Sequence, residues 1–161
     1  MTNFNGNFVV NTDSVYVGDG FPIFAVDALV DKARSYGTAV KLTKSSDKEY
    51  AKGYPFGLKM EDATSTDVGG IIYKGVCYGE DGKTVKGKTE LVMTKGLIVV
   101  KVDTSLQSAA FGDKVYCDDG INFKNTGTKV VGTVASNVFK AKTLEDSNLV
   151  DAVYLDIDIA R

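Results

Sequence analysis

The amino-acid sequence predicts a mainly β fold, a small β-barrel or β-sandwich with one short helix and an extended N-terminal arm. Seventeen glycines and only two prolines divide the 161 residues into short runs rich in valine, isoleucine, tyrosine and threonine. Short strands between glycine-containing turns are typical of barrels and sandwiches rather than of helical bundles. The expected strands cover residues 8–10, 15–17, 38–42, 56–60, 71–78, 91–93, 97–102, 114–117, 130–134 and 152–159.

Two connections carry the residue types of tight hairpin turns. The first is Asp81-Gly82 and the second is Asp119-Gly120, each preceded by a further acidic residue. Asp-Gly pairs accept the positive φ angles of such turns at little energetic cost. We therefore expect turns at residues 80–82 and 118–120.

One segment departs from the strand pattern and predicts a helix over about residues 27–36. Its apolar residues recur at helical spacing, and Gly37 follows in the position favoured for a helix C-cap. An isolated amphipathic helix must bury its apolar face, so we expect this one to cover one end of the β core. The residues that form the apolar face are Val26, Leu29, Val30, Ala33 and Tyr36.

The length and composition suit one domain over residues 1–161. The chain is 43% hydrophobic, and a chain of this size buries about 70% of the surface that it exposes when unfolded. Within the domain, residues 1–10 are polar and rich in asparagine, which predicts an extended arm. Residues 11–68 form an N-terminal part that includes the helix, and residues 69–161 form a β-rich region.

The charge pattern argues against several classes of partner. Nineteen basic and 21 acidic residues give a net charge of -2, and no run of lysine and arginine is long enough to follow a phosphate backbone. We expect no nucleic-acid partner. Residues 1–6 lack the features of a signal peptide, and the longest aliphatic run, residues 97–100, is far shorter than the ~18 residues of a membrane span. We expect no membrane partner, and synthesis in the cytoplasm.

The chain contains no histidine, which excludes Ser-His-Asp and Cys-His catalysis and histidine-ligated zinc. The two cysteines, Cys77 and Cys117, are too few and too far apart for a thiolate zinc site or a C-x-x-C redox pair. We expect both to be free thiols in or beside strands. The composition therefore predicts a protein that is not an enzyme and that holds no metal and no cofactor.

Three short acidic motifs have both a structural and a functional interpretation. Asp156 and Asp158 share one face of a strand and could bind a divalent cation, but two carboxylates on the solvated face of a half-buried strand are more common. Residues 118–120 lack the later ligands of a calcium loop, and Gly18-Asp19-Gly20 lacks the third glycine of a dinucleotide-binding motif. For these two motifs we favour ordinary turns.

Three motifs stand in a characteristic order toward the C-terminus. Residues 111–116 read Phe-Gly-Asp-Lys-Val-Tyr, residues 129–134 read Lys-Val-Val-Gly-Thr-Val, and residues 153–159 alternate apolar and polar side chains. This order resembles the capsid cement, or head decoration, proteins of tailed bacteriophages, and the likeness extends upstream through residues 96–101 and more weakly to 69–73. The residues that carry it are Gly112, Asp113, Val115, Tyr116 and Gly132.

The resemblance implies a β-tulip-like barrel and a structural role in the virion. Such a protein binds the outer surface of the capsid and stabilises the lattice of major capsid protein, often as a homotrimer. An N-terminal arm suits this role, because an extended segment can pair with a strand edge of its partner. The capsid-binding residues expected in the arm are Phe4, Phe8, Val9 and Val10.

The alternative is a β-rich module that binds a receptor or a glycan, in a phage tail or on a cell surface. The chain has no tryptophan for a sugar-stacking platform and no long repetitive shaft, so we favour the capsid protein. Several aromatic residues in the N-terminal part serve either as core residues or as anchors for a protein partner. They are Tyr16, Phe21, Phe24, Tyr50, Tyr54 and Phe56.

Overall fold

The computed structural model describes residues 15–45, 57–75 and 81–159, which form a mainly β protein with one multi-stranded sheet. The only helical element in these ranges is a 3-10 turn at Thr104–Leu106, and no described helix is long and apolar enough to cross a membrane. The strands are β1 (Gly20–Leu29), β2 (Ala39–Lys44), β3 (Leu58–Asp62), β4 (Gly70–Ile72), β5 (Thr89–Lys101), β6 (Lys114–Cys117), β7 (Phe123–Lys124), β8 (Val130–Val134), β9 (Phe139–Lys142) and β10 (Leu149–Asp158).

Strand β5 organises the sheet because it is the longest and carries neighbours along both edges. One edge pairs with β1 over residues 20–29, and the other pairs first with β4 and then with β10. Strands β4, β2 and β3 lead back to β1, where Ala28 and Leu29 pair with β3 in parallel. The pairings of these five strands therefore form a closed circuit, which we call the first branch.

The second branch continues from β5 through β10, β8, β6 and β7, with β9 also paired to β10. Strand β10 is central here, because it pairs with β5, β8 and β9. A bridge between Val102 and Phe123 returns β7 to the end of β5. Strand β5 therefore belongs to both branches, and the packing of its side chains affects the stability of both.

The predicted helix over about residues 27–36 is wrong. Residues 20–29 form β1, and residues 30–38 are a non-helical connection to β2. Val26, Ala28 and Val30 are all buried, which is the alternation of a strand. Val26 and Val30 are four residues apart, a spacing that suits both a helix and one face of a strand. The burial of Ala28 between them distinguishes the two, because a residue two positions along lies on the same face of a strand but on the opposite side of a helix. Gly37 does not cap a helix; its N–H donates to the Ile72 carbonyl at 2.9 Å.

Three clusters of buried side chains hold the branches together. The first branch encloses a cluster that includes Val26, Met60 and Val92. A larger cluster lies under the second branch and includes Phe123 and Leu155. On the opposite face of the second branch, a small cluster forms around Val17, Val99, Ala141 and Ala152.

Most of the predicted strands are confirmed with small shifts of their ends, but residues 15–17 hold only an isolated bridge at Tyr16, and the strand predicted at 71–78 ends at Ile72 in the described residues. Residues 114–117 and 130–134 match β6 and β8, and the two strands predicted at 91–93 and 97–102 are one strand, β5. The turn at residues 118–120 is confirmed, because β6 and β7 pair as a hairpin in which Gly120 has φ +84°. Strands β1, β7 and β9 are absent from the sequence-based prediction. Residues 8–10 and the predicted arm lie outside the described residues.

Candidate binding surfaces

Among the described residues, the most exposed run of apolar side chains is the beginning of β1, residues 21–24, which we call the apolar stretch. Phe21 is 65% exposed, Ile23 72% and Phe24 48%, and Pro22 between them is also exposed. Large apolar side chains that are adjacent and exposed are a recognised mark of a protein-binding surface. Phe21 and Phe24 are two of the aromatic residues that the sequence leaves open between core and partner contact, and the structure places both outside the core.

A backbone irregularity explains why the apolar stretch faces outward. The β1–β5 register shifts between Pro22 and Phe24 and again before Ala25. An extra residue of this kind bends a strand and redirects its side chains. Gly96 allows the close approach, because a Cβ at this position would lie 2.4 Å from the Phe21 carbonyl oxygen.

The apolar stretch is supported by a row of aromatic rings on the sheet. The Phe21 ring stacks on Tyr154 with centroids 6.2 Å apart, and Tyr154 lies 5.5 Å from the Phe139 ring. Tyr154 is half-buried, and burial together with the nearby charge of Asp19 raises the pKa of its hydroxyl. Phe21 therefore rests on a packed surface, which lowers the entropy that it would lose on binding.

A second feature is a cleft of about 520 Å³ between the two branches. The β1–β2 connection forms one wall, and the β9–β10 turn, residues 143–148, forms another. Asp119 and Ile121 of the β6–β7 turn and Lys101 at the end of β5 also line the cleft, together with Val17, Ala39, Asp62, Lys83 and Val150. Its volume lies within the range of small-ligand pockets.

Charged side chains fix the β1–β2 wall of the cleft. The buried guanidinium of Arg34 binds Asp31 and, at 2.9 Å, Asp62, while the Lys32 ammonium lies 2.7 Å from the other Asp62 oxygen. The hydrogen bonds from Lys32 and Arg34 hold the pKa of Asp62 below its usual value. The Arg34 amide donates to the Thr84 hydroxyl at 2.8 Å, so this wall is also tied to the segment that precedes β5.

The β9–β10 turn fastens the second branch to the first. The Ser35 hydroxyl lies 2.7 and 2.9 Å from the two carboxylate oxygens of Glu145, and Leu144 packs against the core of the first branch. Gly82 lies directly against the turn, because a Cβ there would be 2.5 Å from the Leu144 carbonyl carbon. These contacts tie the two walls of the cleft together.

Glu90 carries a carboxyl group with an unfavourable environment near the same connection. Its Oε1 accepts a hydrogen bond from the Tyr36 hydroxyl at 2.7 Å. Burial of the carboxyl raises its pKa, and the nearby charge of Asp27 acts in the same direction, while the hydrogen bond from Tyr36 opposes them. A raised pKa means that the ionised form is less favourable in the folded protein than in the unfolded chain.

The variant Glu90→Gln should be more stable than the wild type at neutral pH. Glutamine keeps an oxygen that accepts the Tyr36 hydroxyl and removes the partly buried charge. The gain should be at most about 1 kcal/mol, because water screens a half-buried group. In the wild type, the protonated Glu90 carboxyl stabilises the fold below its pKa in the unfolded chain, and this stabilisation is lost as the pH rises through its raised pKa in the folded protein. The stability gain of the variant should therefore appear over the pH interval between these two pKa values. Thermal melts from pH 4 to 8 measure it, with Asp156→Asn as the control for losing one charge. A constant difference across the range would contradict it.

The residues of the C-terminal motifs meet where β6 pairs with β8. Val115 of β6 pairs with Gly132 of β8, and a Cβ on Gly132 would lie 2.5 Å from the Asp156 carbonyl oxygen of β10. The Asp113 carboxylate accepts the Ala110 amide at 2.8 Å and so closes the turn that contains Gly112. Val115 is buried and Tyr116 half-buried. Their roles in the described structure are to build the turn and to pack strands.

The described structure does not test most of the other predicted positions. Phe4, Phe8, Val9, Val10 and Cys77 lie outside the described residues. Cys117 is a free, buried thiol, and burial raises its pKa to about 12.

The acidic motifs agree with their structural interpretation. Asp156 and Asp158 are exposed, and Asp158 lies 3.9 Å from the Lys95 ammonium. The Asp119 carboxylate accepts the amides of Ile121 and Asn122 within its turn. Asp19 accepts the Tyr16 amide at 2.8 Å. In residues 15–45, 57–75 and 81–159 no three acidic or cysteine side chains are grouped as metal ligands.

No protein-family model matches the chain, and no curated protein matches it. The assignment of function therefore depends on the residues themselves. Sequence reasoning missed Ile23 as a surface residue and missed the cleft altogether. The run Phe-Pro-Ile-Phe was a usable signal for the apolar stretch, because four consecutive apolar residues that include a proline do not fit an ordinary half-buried strand.

Proposed function

We propose that this protein is a capsid decoration protein of a tailed bacteriophage. It binds the outer surface of the lattice of major capsid protein and stabilises that lattice without catalysing a reaction. The observation that carries the proposal is the apolar stretch, three large exposed side chains on a strand with packed aromatic support. The order of the motifs from Gly112 to the C-terminal strand supports it, because that order resembles known cement proteins.

The mechanism of stabilisation is binding linkage. A protein that binds the assembled shell but not its dissociated parts stabilises the shell by RT ln(1 + [L]/Kd), which is ~4 kcal/mol per site at a thousandfold excess over Kd. Because this term repeats at every lattice site, a moderate affinity is sufficient. A barrel that assembles as a homotrimer on the virion would present three copies of the apolar stretch and add the effect of multivalency.

The test measures binding of the protein to capsids of the phage that encodes it, prepared so that they lack this protein. Phe21 and Ile23 are the two most exposed of the three large side chains in the apolar stretch, so the variant is Phe21→Ser with Ile23→Ser. We expect at least about a hundredfold weaker binding, since each of the two large apolar side chains contributes about 1.5 to 3 kcal/mol when fully buried. Co-sedimentation of capsid and protein measures it.

A matched control separates this surface from general loss of apolar area. Phe111→Ser removes a side chain that is 83% exposed but lies outside the apolar stretch, and it should bind as the wild type does. The melting temperatures of all variants show whether they remain folded. Failure of the wild-type chain to bind such capsids would refute the function, whereas normal binding by the double variant would refute the surface only.

The predicted arm is tested by deletion of residues 2–10. The chain should fold, and it should bind capsids more weakly if Phe4, Phe8, Val9 and Val10 contact the lattice. Comparison of the deletion of residues 2–10 with the Phe21→Ser and Ile23→Ser double variant shows whether the arm and the apolar stretch are two docking elements or one. Equal loss in both variants, with no further loss when they are combined, would indicate that the arm and the apolar stretch act as one surface.

A further inference from the structure

The apolar stretch continues across the sheet as one row of side chains. Phe21 of β1 pairs with Leu97 of β5, and Leu97 pairs with Asp156 of β10. Asp156 in turn pairs with Thr133 of β8. Paired residues of neighbouring strands present their side chains on the same face of a sheet, with Cβ atoms about 5 Å apart. None of these side chains is buried, so they form one accessible surface, which we call the outer row: Phe21, Leu97, Asp156 and Thr133.

A ring contact independently places Asp156 beside the apolar stretch. The Phe21 ring stacks on Tyr154 of β10 with centroids 6.2 Å apart. Tyr154 and Asp156 are two residues apart on β10, so their side chains leave the same face of the strand about 7 Å from each other. A partner that covers the Phe21 ring therefore also covers or borders the Asp156 carboxylate.

The charge of Asp156 is not neutralised within the described parts of the chain. Asp158, which follows it on the same face of β10, lies 3.9 Å from the Lys95 ammonium. No basic side chain of the described residues lies within 4.0 Å of the Asp156 carboxylate. Lys114 pairs with Thr133 and so lies two strands beyond Asp156, at about 10 Å. The carboxylate next to the apolar stretch is thus open to a cation from outside.

We infer that the capsid presents a lysine or arginine side chain to Asp156 at the place where it covers the apolar stretch. Burial of an unpaired carboxylate would cancel much of the gain from burying Phe21. A cationic donor removes that cost, and its charge-assisted hydrogen bond adds to the affinity. The inference rests on the proposed function and names the chemistry of the capsid surface: an apolar depression with a basic residue at its border.

The experiment compares Asp156 variants in binding to the capsids that lack this protein. Asp156→Asn should weaken binding about tenfold, because the amide leaves the cation of the capsid without its counter-charge. Asp156→Lys should weaken binding further, because like charges repel. The melting temperature of each variant shows whether it remains folded.

Salt gives a readout that a loss of packing would not change. Co-sedimentation is measured at about 50 mM and about 500 mM sodium chloride, because the higher concentration screens exposed charges over a few ångströms. The difference in affinity between the wild type and Asp156→Asn should shrink at the higher concentration. The loss caused by Phe21→Ser with Ile23→Ser should persist there, since it comes from apolar area.

Asp81 provides the matched control. It is exposed and adjoins Gly82, whose missing Cβ would lie 2.5 Å from the Leu144 carbonyl carbon. Leu144 belongs to the β9–β10 turn, so Asp81 lies near the opposite end of β10 from Asp156. Asp81→Asn and Asp81→Lys change the net charge by the same amounts as the Asp156 variants and should bind as the wild type does.

The possible outcomes separate this inference from the proposed function. Wild-type affinity in the Asp156 variants, equal losses at Asp156 and Asp81, or a loss that salt does not change would overturn the inference and leave the function intact. Tighter binding by Asp156→Lys would also overturn it, because the capsid would then present an acidic group. Absence of binding by the wild type would refute the proposed function and this inference together.

Discussion

Removal of residues 149–161 is expected to leave a chain that does not fold. This deletion removes β10, which pairs with β5 over seven residues and also pairs with β8 and β9. It also removes Val153, Leu155 and Ile157, which are completely buried in the main cluster. Each such side chain contributes about 1.5 to 3 kcal/mol on full burial, and a domain has only about 5 to 15 kcal/mol of net stability. Loss of the cooperative melting transition measures the result.

A point variant tests the same strand while the fold is retained. Leu155→Ala should lower the free energy of unfolding by about 2 to 5 kcal/mol, because it removes buried methyl groups and leaves a cavity. The neighbouring Asp156→Ala changes an exposed side chain on the opposite face and should change stability by no more than about 0.5 kcal/mol. Urea unfolding measures both. A soluble deletion variant with the wild-type melting temperature would show that β10 is not part of the core.

Gly96→Ala is expected to cost about 3 kcal/mol or more, because positive-φ strain and a close backbone contact act together. Gly96 has φ +138°, and its missing Cβ would lie 2.4 Å from the Phe21 carbonyl oxygen and 3.0 Å from the Ile23 amide nitrogen. Both atoms are backbone, so a side-chain rotation cannot relieve the contact. The variant would have to displace β1 at the apolar stretch.

Gly112→Ala is the matched control, since Gly112 also has a positive φ, +90°, but no atom of the described residues beyond its chain neighbours lies within 4 Å of its missing Cβ. It should cost only about 1 to 2 kcal/mol, which is the strain of the backbone angle alone. Thermal and urea unfolding of the two variants separate the contact from the angle. Equal losses would show that β1 does not approach Gly96 as closely as the structure indicates.

The strands with strict alternation or with β-branched runs could be recognised from sequence because their side-chain pattern is local. Residues 130–134 and 114–117 are examples: they form β8 and β6, which pair through Val115 and Gly132, while β6 and β7 form the hairpin. The segment at 26–36 could not be recognised, because a four-residue spacing fits both a helix and a strand face. The neighbouring strand decided that this segment begins as a strand, because β5 supplies a long edge to which residues 20–29 pair.

The candidate surfaces depended even more on tertiary contacts. The sequence left Phe21 and Phe24 open between core packing and partner contact. The exposure of a side chain depends on which neighbours cover it, and here the bulge opposite Gly96 leaves these two rings uncovered. The cleft had no signal in the sequence, because Arg34, Lys83 and Glu145 are far apart along the chain and only the folding of the β9–β10 turn onto the first branch brings them together.

By itself, the sequence determined the β-rich class, the hairpin at residues 118–120 and the absence of histidine chemistry, since these follow from composition and from contacts between near neighbours. Only the tertiary structure decided that β5 is shared by two branches, that residues 20–29 form a strand and that their first half faces solvent. The physical reason is range: turn chemistry and alternation act over a few residues, whereas strand order, burial and the pairing of charges depend on segments that meet only after the chain has folded.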